Sequence, residues 1–211
     1  MFDSTKTGVG LDGHKESIVA AVLPPDSDRV ALATKFENTP GALKTFVERL
    51  RSRGALTFVY EAGPCGYQVH RDLTAQGQEC VIIAPGLIPK KPGDKVKTDR
   101  RDAEKLAQLH RAGQLTAVRV PTRAEEADRD LLRAREDVLA ERLRARHRLS
   151  KFLLRQGLAW RSGCAWTKRH REWLMGLRFD LESHARTFEV YLRGLEEVEA
   201  RLEALDRQVL A

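Results

Sequence analysis

Between Thr57 and Ala84 the chain passes through an apolar β-like run, Thr57-Phe58-Val59-Tyr60-Glu61, a helical pattern from Gly66 to Gln76, and a second β-like run from Glu79 to Ala84. This succession constrains the fold more than any other feature, because a strand, a short-linked helix and a strand pair in parallel with the helix crossing one face. Upstream, Val9 to Asp12 and Ile18 to Leu23 are separated by Gly13-His14-Lys15-Glu16-Ser17, a length that suits a hairpin. After the turn Pro24-Pro25-Asp26-Ser27-Asp28, the segment Arg29 to Phe36 alternates as a third strand, and Gly41 to Arg53 places Leu43, Phe46, Val47 and Leu50 at helical spacing. The expectation is an α/β domain whose mixed sheet opens as an antiparallel meander and continues through crossovers, with flanking helices. Such a sheet has a point where strand order reverses, and ligands bind there, beyond the carboxyl ends of the strands.

Four acids fall where that geometry would gather them. Asp12 closes the run Val9-Gly10-Leu11, Glu61 closes the run from Thr57, and Asp99 and Asp102 open a helical pattern in Lys97-Thr98-Asp99-Arg100-Arg101-Asp102-Ala103. If the first and fourth strands are parallel neighbours, Asp12 and Glu61 end side by side. Asp99 and Asp102, three residues apart, share one face of a first helical turn, where the helix dipole eases their accumulation modestly. Hard carboxylate oxygens suit Mg²⁺ or Mn²⁺, and two such ions about 4 Å apart can be held by three or four acids with positions left open for a phosphodiester. Each acid also has an ordinary reading: Asp12 and Glu61 as turn residues, Asp99 as the N-cap of a helix running through Leu106 and Leu109. His14 is either a proton shuttle beside Asp12 or a plain turn residue.

Taken together with their neighbours, the acids carry a resemblance. Gly10-Leu11-Asp12-Gly13-His14-Lys15-Glu16, Val59-Tyr60-Glu61-Ala62-Gly63 and Lys97-Thr98-Asp99-Arg100-Arg101-Asp102-Ala103-Glu104-Lys105-Leu106-Ala107 resemble the N-terminal domain of DEDD-type insertion-sequence transposases, the bridge-RNA-guided recombinases. The resemblance implies an RNase H-like (RuvC-like) catalytic domain over residues 1–122 and an α-helical coiled-coil, nucleic-acid-binding region over 123–211. It implies that Asp12, Glu61, Asp99 and Asp102 are catalytic metal ligands acting on DNA phosphodiesters, with a structured guide RNA as a second partner. It also implies a further domain bearing a nucleophilic serine. No stretch before Ala211 matches one, so the chain is expected to be incomplete for recombination.

Charge supplies the remaining expectations. The net charge is +7, and from Arg142 through Arg171 there are ten Lys or Arg and no acid, while the rest of the chain is slightly acidic. A concentrated basic tract attracts polyanions. Arg142, Arg144, Arg146, Arg148, Lys151, Arg155, Lys168, Arg169 and Arg171 are therefore candidate nucleic-acid contacts, with Trp160, Trp166 and Trp173 as stacking rings or as hydrophobic glue. Nearer the acids, Lys90, Lys91, Lys95 and Lys97 in a Pro- and Gly-rich loop, with Arg100 and Arg101, form a candidate phosphate clamp.

Two long helical patterns frame the basic tract. Leu131, Leu132, Val138, Leu139, Leu143, Leu149, Phe152 and Leu153 form an apolar stripe within Ala124 to Gln156. Phe188, Tyr191, Leu195, Val198, Leu202, Leu205 and Val209 step by three and four, as in a coiled coil. These helices are expected to pair with each other or across a homodimer or tetramer. Three scattered cysteines, no membrane-length apolar run and no signal-peptide core fit a bacterial cytoplasmic location, with no membrane partner. Two other functions remain open: a freestanding Holliday-junction-type nuclease using the same acids, and an actin-like ATPase fragment, whose phosphate hairpin Gly10-Leu11-Asp12-Gly13 also resembles.

Overall fold

The computed structural model describes residues 5–63, 65–89 and 98–210. The chain divides into two compact units, Met1–Val120 and Pro121–Ala211.

The first unit is a five-stranded sheet, β1 (Thr7–Gly13), β2 (Ser17–Leu23), β3 (Leu32–Glu37), β4 (Leu56–Glu61) and β5 (Glu79–Ile83), in the order β3-β2-β1-β4-β5. The first three strands pair antiparallel, and β1-β4 and β4-β5 pair parallel. The expected meander with crossovers is thus observed, and strand order reverses between β1 and β4. Helices α1 (Pro40–Leu50) and α2 (Gln68–Ala75) cover one face, and α3 (Asp99–Arg111) covers the other.

Strict alternation decides what each face receives. Val9, Leu11, Ile18, Ala20, Val22, Phe58 and Tyr60 point into the core shared with α1 and α2. Their neighbours Val19, Ala21 and Val59 meet α3 through Ala103 and Leu106. At roughly 25 cal/mol per Å² of apolar area, burying each large aliphatic side chain in these layers contributes about 2 kcal/mol.

Two expected boundaries shift for local reasons. The third strand begins at Leu32 rather than Arg29, because the Ser27 hydroxyl accepts the Arg29 N–H at 3.1 Å and prolongs the turn. Helix α2 begins at Gln68 rather than Gly66, because Gly66 sits at φ 62°, outside the helical region and accessible at little cost only to glycine.

The second unit holds α4 (Arg123–Arg155), α5 (Lys168–Gly176) and α6 (Glu182–Val209). A capping box starts α4: the Thr122 hydroxyl accepts from Glu125 N–H, and the Glu125 carboxylate accepts from Thr122 N–H. Helices α4 and α6 pack antiparallel, as the ion pairs Arg135–Asp206, Arg146–Glu199 and Arg201–Glu141 show by running in opposite senses along the two helices. Their shared core is Ala145, Leu149, Phe152, Leu153, Leu174, Phe188 and Leu195. The α4 stripe is narrower than expected: Leu132 and Leu143 are 46% and 55% exposed. At 100° per residue they lie well off the line of Leu149 and Phe152, toward solvent.

Candidate metal centre

The site is assembled by a match between strand and helix repeats. Helix α3 runs antiparallel to β1, and Gly10 lets it approach closely: a Cβ there would lie only 2.0 Å from Ala103 O, whereas one on Gly8 would make an ordinary contact 4.0 Å from Ala107 O. Two strand residues advance about 6.6 Å and four helix residues about 6 Å, so the two elements stay in step. One further step pairs Asp12, near the end of β1, with Asp99, the first residue of α3.

Parallel pairing brings in the second strand. Leu11 lies opposite Tyr60 in the register of β1 and β4, so the next residues, Asp12 and Glu61, are neighbours facing the same side. Leu106 packs on Val59 and Ile83, over β4 and β5. Asp102, one turn earlier, lies on the same side of α3, toward the end of β4.

Thr98, not Asp99, caps α3: its hydroxyl accepts the Arg101 N–H at 3.3 Å. The Asp99 carboxylate is therefore not consumed as a cap. It faces His14, whose Nε2 lies 3.4 Å from Asp99 Oδ1 and 3.4 Å from Asp12 Oδ2. Among the described residues, Asp12, His14 and Asp99 form a group whose potential ligand atoms all lie within 4.8 Å of one another. Glu61 and Asp102 flank this group rather than join it. Glu61 lines a narrow crevice shared with Gly13, Tyr60 and Cys65.

The donor set fits a divalent cation. Ligands about 2.1 Å from an octahedral ion stand roughly 3 to 4 Å from each other, close to the spacing seen, and two acids this near repel without a cation between them. The side chain of Asp12 is only 23% exposed, which sharpens that repulsion. His14 is the residue that the sequence left between two readings. The signal for it was its place in a two-stranded turn directly after the first acid.

The expected nucleic-acid contacts divide. Lys90, Lys91, Lys95 and Lys97 lie outside the described residues. Arg100 and Arg101 are exposed on the first turn of α3, Arg100 in an i,i+4 pair with Glu104. In the second unit Arg144, Arg148, Lys151, Arg155, Lys168 and Arg169 are exposed and Arg142 is half-exposed. Arg146 and Arg171 instead converge on Glu199, at 2.8 and 2.6 Å, and the Arg146 guanidinium stacks 5.0 Å from the Trp166 ring centre. Burial disfavours the Glu199 carboxylate, but the hydrogen bonds from Arg146 and Arg171 outweigh it and hold its pKa below the usual range.

The tryptophans are half-buried and enclose His170, whose ring lies 5.4 Å from Trp160, 5.0 Å from Trp166 and 5.4 Å from Trp173. The Trp166 backbone N–H donates to His170 Nδ1 at 3.0 Å. Burial first, then the nearby Arg171 charge, keeps His170 below its ordinary pKa. These rings act as packing around a buried imidazole.

A sheet of this order, with acids at the ends of its two central parallel strands and on the helix crossing them, defines an RNase H-like domain. A transposase family model, DEDD transposases of the IS110 type, matches residues 9–156, and the chain belongs to that family. It is 47% identical over 184 residues to the candidate transposase y4qE of Sinorhizobium fredii, covering 86% of this chain and 47% of that protein. To the transposase for insertion sequence element IS1533 of Leptospira borgpetersenii it is 36% identical over 207 residues, covering 97% of this chain and 60% of that protein. The chain thus spans about half to three-fifths of the length of these relatives. Among solved structures it is similar to T. thermophilus RuvC in complex with a Holliday junction substrate, with a TM-score of 0.38 and 11% identity over 54% of this chain and 99% of that one.

Proposed function

We propose that this chain is the portion of a DNA transposase that holds divalent metal and presents it to DNA phosphodiesters. The observation that carries this reading is the meeting of Asp12 and Asp99, brought from β1 and α3 by a backbone approach that only a glycine at position 10 permits. Asp12 and Asp99 would hold one Mg²⁺ or Mn²⁺, with Glu61 and Asp102 beside them as ligands of a second. When bound, such ions polarise a phosphodiester and lower the pKa of the attacking hydroxyl or water. The chain's own contribution is to fix donor positions before DNA arrives.

The family relationship favours a DNA substrate in transposition, guided by a structured RNA. The exposed cations of α4 and α5 supply sequence-independent backbone contacts to either polymer. The exposed Leu132 and Leu143 offer α4 a second apolar line through which copies of the chain would assemble. A freestanding junction nuclease is the competing reading, and the match to the transposase family over residues 9–156 favours the transposase.

The test measures binding and cleavage of duplex and four-way-junction DNA by the full chain with Mg²⁺ or Mn²⁺. Asp12→Asn and Asp99→Asn should abolish any metal-dependent cleavage while leaving DNA affinity intact. Replacing Arg144, Arg148 and Lys151 by Ala should flatten the salt dependence of duplex binding, by about 0.9 in log–log slope for each phosphate no longer neutralised. Unchanged cleavage in both acid variants would overturn the metal assignment, and an unchanged slope would remove α4 from the DNA surface.

A further inference from the structure

Carboxylates alone do not account for the geometry around Asp12. The third atom of the cluster is a nitrogen, and it comes from a turn held by three backbone-directed hydrogen bonds. His14 N–H donates to Ser17 O at 2.8 Å, closing the β1-β2 turn. From just past the end of β3, the Asn38 side chain donates through Nδ2 to His14 O at 2.8 Å, and Asn38 N–H donates to Glu16 O at 3.1 Å. A single asparagine therefore fixes the turn at both ends, and the imidazole is carried on a backbone that has no freedom to slide. The ordering cost of bringing a nitrogen to the acids is met by folding rather than by ligand binding.

We propose that His14 Nε2 is a ligand of the cation held between Asp12 and Asp99, that Asn38 positions it, and that this nitrogen strengthens Mn²⁺ binding at the position while leaving Mg²⁺ binding nearly unchanged. The proposal rests on the reading that Asp12 and Asp99 hold a divalent cation. Neutral imidazole is the commonest protein metal ligand, and it suits first-row transition ions. Mg²⁺ demands hard oxygen donors in a near-ideal octahedron and sheds water reluctantly, so a nitrogen donor adds little to its binding. Mn²⁺ shares the oxygen preference of Mg²⁺ but belongs to the first-row series that binds mixed nitrogen and oxygen sites, so a nitrogen donor adds more to its binding than to that of Mg²⁺. The competing role for His14 is a protonated counter-ion between two acids. In that role it would be displaced by the metal and would contribute no bond to it.

The two roles differ in a spectroscopic signature that needs no catalytic turnover. Mn²⁺ alone is titrated into the full chain, and bound ion is counted by loss of the free-ion electron paramagnetic resonance signal. Pulsed measurement on the bound ion then reads nitrogen coupling. The expected result is a directly bonded ¹⁴N in the parent chain, replaced by the ¹⁵N pattern when the chain is made with ¹⁵N-histidine, and lost in His14→Gln. His14→Gln should weaken Mn²⁺ by about tenfold or more while Mg²⁺, read by competition, changes by less than about threefold. Asn38→Ala should leave the nitrogen coupled but weaken Mn²⁺ by a smaller factor. The labelled parent chain keeps the test independent of whether a variant folds.

Bound Mn²⁺ with no nitrogen coupling would overturn the proposal and leave the metal site standing. No bound Mn²⁺ in the parent chain, or binding unaffected by Asp12→Asn and Asp99→Asn, would overturn both.

Discussion

Replacing Gly10 by Ala puts one methyl group where there is no room for it, and the consequence can be followed from β1 to the metal centre. The added Cβ would stand 2.0 Å from Ala103 O and 2.8 Å from Ala107 N, both backbone atoms of α3. Neither can rotate away as a side-chain tip would, so the clash is relieved only if the whole helix retreats, by about 1 Å to reach even a tight separation. A gap of that size forfeits a quarter to a half of the dispersion attraction between Leu106 and its neighbours Val59 and Ile83. Overpacking of this kind costs about 3 kcal/mol, the upper end of the usual range, because the clash is with backbone. For a unit of 120 residues that corresponds to a fall of roughly 12 °C in Tm.

The same retreat carries Asp99 away from Asp12 and His14, so cation affinity should fall by about tenfold. Differential scanning calorimetry and Mn²⁺ titration read the two effects, with Gly41→Ala as a control. Gly41 lies in α1 with nothing within 4 Å of its would-be Cβ, and alanine there should raise stability by about 0.5 kcal/mol. A Gly10→Ala protein as stable as its parent to within about 0.5 kcal/mol, with undiminished Mn²⁺ affinity, would refute the account of how α3 is seated.

Three further outcomes are expected. Mn²⁺ at a hundredfold excess over its Kd should stabilise the parent chain by about 2.7 kcal/mol, and Asp12→Asn should lose that gain, as a thermal shift would record. Glu199 has a lowered folded pKa, so its contribution is present above the unfolded carboxylate pKa and disappears as pH falls through the lower folded value. Glu199→Gln should therefore cost about 2 kcal/mol at pH 7, monitored by Trp fluorescence in urea, and the difference from the parent should vanish in strong acid. Burial pushes the Cys80 thiol up to about 12, whereas Cys164 is exposed, so a thiol reagent at pH 8 should modify Cys164 rapidly and Cys80 only on unfolding, as peptide mass mapping would show.

Much of the sheet was legible because its signals are local. The apolar run Ile18 to Leu23, the short-linked strand, helix and strand from Thr57, and the hairpin-length gap after Asp12 each specify their own element, and together they allow few topologies. Boundaries failed where one side chain or one dihedral decided them, as at Ser27 and Gly66. In the second unit the periodicity marked the helices, but it did not tell which leucines would be covered. Leu132 and Leu143 were expected in the same stripe as Leu149, but they lie on another side of α4 and stay exposed.

By itself the sequence determined the order of strands and helices, the placement of acids at their ends, and the segregation of positive charge into Arg142 to Arg171, because each depends on residues close along the chain. Only the tertiary structure decided which of these groups meet. Asp12 and Asp99 lie 87 positions apart and converge because Gly10 lets a helix settle onto a strand whose repeat nearly matches its own. His14 joins them because Asn38, from beyond the end of β3, fixes its turn, while Arg146 is drawn off the basic surface, and the still exposed Arg171 is tied down, because Glu199 arrives from α6. Contacts at such separations follow from packing, and packing is a property of the whole chain rather than of any segment.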